Sequence, residues 1–237
     1  MSDDDLEVPA PVPAATVVLL RDSDVGIETL MLRRDSKLAF AGGAWVFPGG
    51  RVDPDDHPTT RPVDDLDITP DVALRAARNA AVRETREEAG LDIDGDHLEW
   101  FAHWTPHSSV ARRFATWFFV ARAPEGTVVI DDGEIRAHEW AAPSEVLRRH
   151  ASGELELLPP TWMTLDRLRG VDTVEAALAQ ARAARPTVYV TRVWRGDDRV
   201  AATWDGDAAY DDGDLARPGP RHRLWLDADG WRFEHSG

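Results

Sequence analysis

"RETREEAGL", Arg83 to Leu91, places three glutamates, Glu84, Glu87 and Glu88, within five positions and then stops at Gly90. On a helix, positions i, i+3 and i+4 share a face, so the three carboxylates are expected to converge. Like charges at that spacing cost a helix roughly 0.2–0.5 kcal/mol per pair. The crowding therefore belongs either to a solvated, charged helix end or to a site that a cation occupies. Oxygen-only donors of this kind suit Mg2+ or Mn2+, hard cations that also bind phosphates. Arg83 stands beside them, placed to hold a carboxylate through a charge-assisted pair.

The helix that carries these residues has legible ends. Thr69 is a good N-cap, Pro70 suits the first helical position, and Asp71 complements the helix dipole. Gly90 suits the C-terminal cap. The pattern predicts a helix from about Pro70 to Ala89. Before it, "DPDDHPTTRPVDDLDITP" reads as a surface loop by its Asp, Pro and Thr content. Earlier still, "ATVVLLRD" and "IETLMLRR" flank "SDVG" as a β-hairpin, and "AWVFPGGRV" is a short strand ending in Pro48, Gly49 and Gly50.

Downstream, "LEWFAHWTP", "FATWFFVARA" and "EIRAHEW" read as strands, and "SEVLRRHAS" and "TWMTLDRLR" as helices. "VDTVEAALAQARAAR" is a further helix. "TVYVTRVW", "RVAATW", "HRLWLD" and "WRFEH" then form a small β-rich tail, with "DADG" as a hairpin turn. Strands on both sides of one long helix make the class α/β or α+β.

Composition narrows the partners. Hydrophobic residues make up 43% of the 237, enough for a packed core. There is no cysteine, which excludes a disulfide framework and cysteine-ligated zinc. Acidic residues outnumber basic ones 43 to 27, for a formal charge of −16, which argues against nucleic acid as a partner. The acidic, Pro/Ala-rich start lacks the basic and apolar regions of a signal peptide. No apolar run approaches the ~20 residues of a membrane helix. The expectation is a soluble cytoplasmic protein with no membrane partner. An acidic chain acting on an anionic substrate needs local positive charge, from arginines or a metal.

"FPGG…RETREEAGL" resembles the Nudix hydrolase family. The family's box is Gly, five residues, Glu, seven residues, then Arg-Glu-apolar-x-Glu-Glu-x-Gly-apolar. Arg83, Glu84, Glu87, Glu88, Gly90 and Leu91 match its second half, and Gly50, after Gly49, matches its glycine. Thr85 stands where an apolar residue is usual. Counting back eight from Arg83 gives Arg75, whereas counting forward six from Gly50 gives Asp56. The box is thus split by an insertion of about 53–67, and Asp56 is expected in the missing acid's place, pointing toward the helix. Asp64, Asp65 and Asp67 are expected to stay solvated.

The resemblance implies a fold, an activity and a set of site residues. The fold is an α/β/α sandwich with a mixed sheet over residues 14–168. Residues 1–13 are a flexible N-terminus, and 169–237 add a C-terminal helix and β-rich extension packed on the core. The activity is metal-dependent hydrolysis of a diphosphate joined to a nucleotide. Glu84, Glu87 and Glu88 hold Mg2+ or Mn2+, with Glu87, Arg83 and Glu134 as catalytic residues. Glu134 lies six before Trp140, a family spacing, and Glu99 is a weaker rival. Arg112, Arg113, Gly49 and Gly50 contact substrate, and Asp56 and Gly90 support the box; Trp104 and Phe114 have two readings, a surface for stacking on adenine or, as is more common for aromatic residues at strand positions, core. Nudix enzymes are often dimers, so a homodimer belongs to the expectation. The split box and "LMLRR…FAGGAWVFPGG" resemble the subgroup that includes peroxisomal coenzyme A diphosphatases, which makes coenzyme A or acyl-CoA the expected substrate. The alternatives are ADP-ribose, a dinucleotide or a related substrate, and a non-catalytic nucleotide-binding domain.

Overall fold

The computed structural model describes residues 10–24, 26–38, 41–58, 69–106, 113–130, 133–196 and 199–236. The central strand, β1 (Val12–Ser23), owes its place to an apolar run in which Val17 to Leu20 are all buried. It turns at Gly26, φ +113°, into β2 (Gly26–Arg34), pairing Leu20 with Thr29 antiparallel. β3 (Trp45–Val46) and β7 (Ile135–Ala141) pair with β2, while β4 (Gly49–Arg51) pairs with the start of β1. β6 (Phe114–Arg122) runs parallel to β1, with Val12 beside Phe114, and β5 (Glu99–Thr105) is antiparallel to β6. β8 (Thr187–Val190) joins β5 in parallel, so pairing in this mixed eight-stranded sheet continues past residue 169.

The two faces of the sheet are buried under different layers. One is covered by α1 (Pro70–Ala89), whose Ala77, Ala80 and Ala81 sit against Val17, Leu19, Leu30 and Leu32. Alanine on that helix face lets it lie close to the sheet, which brings the following glutamate turn down onto β4. The other face carries α2 (Pro143–Ala151), α3 (Pro159–Leu168) and α4 (Val174–Ala183). A second, antiparallel sheet, β9 (Arg192–Arg195), β10 (Val200–Thr203), β11 (Arg221–Asp227) and β12 (Gly230–Ser236), contributes Trp204 and Leu224 to the same cluster. The architecture is the expected α+β fold with a mixed sheet, plus a C-terminal four-stranded sheet.

Two details depart from the sequence reading. β1 begins at Val12, whose N–H donates to the Arg113 carbonyl at 2.8 Å, so the flexible N-terminus does not reach residue 13. "TVYVTRVW" is two strands in two sheets, separated at Thr191. Of the two readings of Trp104, the structure has the core one: the ring is buried and lies against Tyr189 with ring centroids 3.8 Å apart and planes 10° apart. Phe114 is half-buried at the start of β6. Among the described residues, no helix is long and apolar enough to cross a membrane.

Candidate active site

The helix ends set the site. Thr69 Oγ1 accepts the Val72 N–H, Pro70 opens α1, and Gly90 closes it in the left-handed region at φ +66°. A side chain at Gly90 would also press on Val129 at 3.0 Å, so the position favours glycine twice over. Thr85 is buried and returns its hydroxyl to the Ala81 carbonyl at 2.7 Å. That bond explains how a polar residue occupies an apolar position of the helix.

Two glycines bring β4 against the glutamate turn. Gly49 has φ +157°, and a Cβ there would meet the Ala15 carbonyl and Thr16 Oγ1 at 2.3 Å. Its N–H donates to Glu88 Oε2 at 2.9 Å. At Gly50 a Cβ would lie 2.3 Å from Glu84 Cδ and Oε1, so the Glu84 carboxylate rests directly on this glycine. Glu84 and Glu88, one turn apart, thus face the glycine strand together. Glu87 is the exposed one of the three, 57% accessible, and shares the Arg83 Nη1 with Glu84.

Arg83 organises the second side. Its Nε and Nη2 form a fork on Asp56, at 3.1 and 2.9 Å, and Nη1 donates to Glu84 at 2.8 Å and Glu87 at 3.1 Å. Nη2 also reaches the Arg51 carbonyl at 3.0 Å. Asp56, first among these partners, holds the Arg83 guanidinium above its usual basicity. Asp56 is buried at the end of a one-turn 3-10 helix, Pro54–Asp56, and accepts the Asp53 N–H at 2.8 Å. Asn79 donates to its carbonyl at 2.8 Å. Arg75 is exposed on α1. Asp64, Asp65, Asp67 and Arg112 lie outside the described residues. Arg113 is half-buried at the entry to β6.

Glu134 is drawn in by a residue the sequence reading missed. Arg34 Nη2 donates to Glu134 Oε2 at 2.8 Å, and Nη1 lies 3.8 Å from Glu88 Oε1. Glu99 is elsewhere, paired with Arg182 at 2.8 Å. "LMLRR" offers two arginines, and only strand register tells which turns inward.

The electrostatics mark the cluster as short of positive charge. Burial pushes the Glu88 carboxyl up to about 8, helped by Glu84 and Glu134 and opposed by the Gly49 N–H and Arg34. Burial also raises Glu84, against the pull of Arg83. Among the described residues, no three His, Asp or Glu side chains stand close enough to hold an ion as placed. The donor set still suits a hard divalent cation: carboxylate oxygens only, one buried and raised, seated on glycines that leave room for nothing larger.

Comparison with known proteins bears on this geometry. Residues 73–160, from the glutamate helix into α3, match the NUDIX domain model. The chain is similar to a NUDIX hydrolase from Alicyclobacillus acidocaldarius, with 24% identity, 72% of this chain and 96% of that chain covered, and a TM-score of 0.62. It is also similar to the MutT NUDIX hydrolase from Burkholderia pseudomallei, with 19% identity, coverage of 68% and 99%, and a TM-score of 0.48. A further match is the NUDIX domain of Shewanella oneidensis NrtR in complex with ADP ribose, with 15% identity, coverage of 77% and 94%, and a TM-score of 0.49.

Proposed function

We propose that this chain, whose residues 73–160 match the NUDIX domain model, is a Nudix hydrolase, a divalent-metal-dependent enzyme that cleaves the diphosphate bond of a nucleotide-linked substrate, with coenzyme A or acyl-CoA as the preferred one. The observation that carries the reading is the Glu84 carboxylate seated on Gly50 beside a Glu88 that accepts the Gly49 N–H. The split box and its flanking segments support the substrate assignment.

Glu84, Glu88 and Glu87 are the residues that would hold Mg2+ or Mn2+. When bound, the ion supplies neutralisation of the diphosphate and a more acidic water. The remaining tasks fall to the chain itself. Glycine at 49 and 50 lets the glutamate turn settle on β4, and in this reading that strand lies beside the substrate diphosphate. Asp56 fixes the Arg83 fork, and Arg83 in turn holds Glu84 and Glu87 through one nitrogen. Glu87, the exposed carboxylate of the set, takes the proton from the attacking water in this reading. Glu134, held at 2.8 Å from Arg34, is the second acid of the site.

A panel of coenzyme A, acyl-CoA, ADP-ribose and dinucleotides, assayed with Mg2+ and Mn2+, tests the proposal. The expected products from coenzyme A are 3′,5′-ADP and 4′-phosphopantetheine. Preference for ADP-ribose or a dinucleotide would replace the substrate while keeping the reaction, and hydrolysis of monophosphates alone would end the assignment. Gly50→Ala supplies a sharper check of the geometry. Its Cβ must displace the Glu84 carboxylate, and misplacement of such a group costs about 100-fold in turnover. A Gly50→Ala enzyme with unimpaired turnover would show that Glu84 need not sit there.

A further inference from the structure

Arg34 ends β2 where the register against β7 shifts, between Arg33 and Arg34. The shift leaves Arg33 exposed and turns Arg34 inward, with 18% of its side chain accessible. Main-chain bonds lock this strand end in place: Arg34 N donates to the Ala44 carbonyl at 3.1 Å, and Gly43 N donates to the Arg34 carbonyl at 3.2 Å. Asp35 N donates to the Glu134 carbonyl at 2.7 Å, which fixes the backbone that carries Glu134 beside β2. The reach of the guanidinium is thereby set. It meets Glu134 at 2.8 Å and Glu88 at 3.8 Å, and among the described residues it is the only basic side chain within 4.0 Å of Glu88. Its Nε is buried without a hydrogen-bond partner among the described residues. An unmade buried bond costs about 1–3 kcal/mol, so a guanidinium placed for stability alone would use that donor.

We propose that Arg34 is the positioning residue of the acidic cluster: one guanidinium joins Glu134 to Glu88 of α1, and it competes with a divalent cation for Glu88. The inference rests on the reading that Glu84 and Glu88 hold such a cation. Two consequences separate it from a packing role. Removing the Arg34 charge strengthens cation binding, because one positive charge leaves the cluster. It also slows turnover, because Glu134 loses its 2.8 Å bond to Arg34. A residue that only packs would lower stability and move neither quantity in that combination.

The test is Mn2+ titration of the full chain without substrate, followed by the electron paramagnetic resonance of free Mn2+, for wild type, Arg34→Gln and Arg34→Lys. kcat and KM are measured alongside. For Arg34→Gln the Mn2+ dissociation constant should fall on the order of tenfold, as expected for one unit charge a few ångströms away in a partly screened site. Its kcat should fall with KM little changed. Arg34→Lys should keep wild-type Mn2+ affinity, because the charge remains, and still lose kcat, because a point ammonium does not span two carboxylates. Unchanged or weaker Mn2+ binding in Arg34→Gln, with wild type binding the ion, overturns the inference and leaves the metal reading standing. A wild type that takes up no Mn2+ overturns the metal reading and this inference with it.

Discussion

Glu88→Gln is expected to lower turnover by orders of magnitude and yet to leave the metal-free protein more stable than wild type at pH 8. Both effects come from one buried charge. Glu88 has 7% of its side chain accessible, and Arg34, at 3.8 Å, compensates it only weakly. Glutamine keeps an oxygen for the Gly49 N–H and gives up the charge that a cation would need. Loss of a principal electrostatic group in a site of this kind costs about 10²–10³ in rate. The stability effect has a definite sign. The carboxyl rises from about 4.5 in the unfolded chain to about 8 in the folded one. Between those values the folded state binds the proton more tightly, so wild-type stability falls as pH rises across that window. The fall should be of order a few kcal/mol. Thermal unfolding in EDTA from pH 5 to 8 should show the slope in wild type and a flatter profile in Glu88→Gln. Near-normal turnover in the variant would remove Glu88 from the metal set.

The legible parts of this protein are those that local rules govern. Thr69, Pro70 and Gly90 mark the helix because capping chemistry acts within a few residues of a terminus. Counting from Gly50 leads to Asp56, which the fold buries against Arg83 across an insertion of which only the first residues are described. Loop closure explains why such an insertion is tolerated, since doubling a flexible loop costs only ~0.6 kcal/mol. The parts that are not legible depend on register and burial at a distance. Arg33 and Arg34 are adjacent and chemically identical, and a register shift in β2 against β7 decides which one meets Glu88. Trp104 reads more readily as core than as a ligand surface, but strand alternation does not reveal that Tyr189, from a strand far along the chain, will stack on it. Glu84, Glu87 and Glu88 share a helix face in the pattern, yet only Glu84 and Glu88 meet the two glycines, while Glu87 stays exposed and shares the Arg83 Nη1 with Glu84. Asp207, in sequence, is one more turn aspartate.

Asp207→Ala is expected to be the most destabilising change in the C-terminal sheet, by about 3–5 kcal/mol, the range found when one member of a buried ion pair is removed. Asp207 and Arg223 both have fully inaccessible side chains. Arg223 Nε donates to Asp207 Oδ2 at 2.7 Å and Nη2 to Oδ1 at 2.5 Å. The same carboxylate accepts the N–H groups of Ala209 and His222, each at 2.8 Å, and Arg223 Nη1 reaches the Leu215 carbonyl at 3.0 Å. One ion pair thus ties the connection after β10 to β11. Alanine would leave a guanidinium out of water with no counter-charge and two backbone donors with no acceptor. The disturbance would spread inward, because Trp204, three residues earlier, packs edge-on against both Trp104 and Tyr189. Burial alone would raise the Asp207 carboxyl, but Arg223 and the two backbone N–H groups outweigh it and hold it below the ordinary carboxylate range. Its contribution is therefore complete above about pH 4 and lost as pH falls through the lowered folded value. Asp207→Leu combined with Arg223→Met should recover much of the loss, since a packed apolar pair no longer buries a lone charge. The measurement is thermal or urea unfolding followed by tryptophan fluorescence for Asp207→Ala and the double variant. If Asp207→Ala stays within about 1 kcal/mol of wild type, or the double variant is no better than the single one, the pair is not what holds this sheet in place.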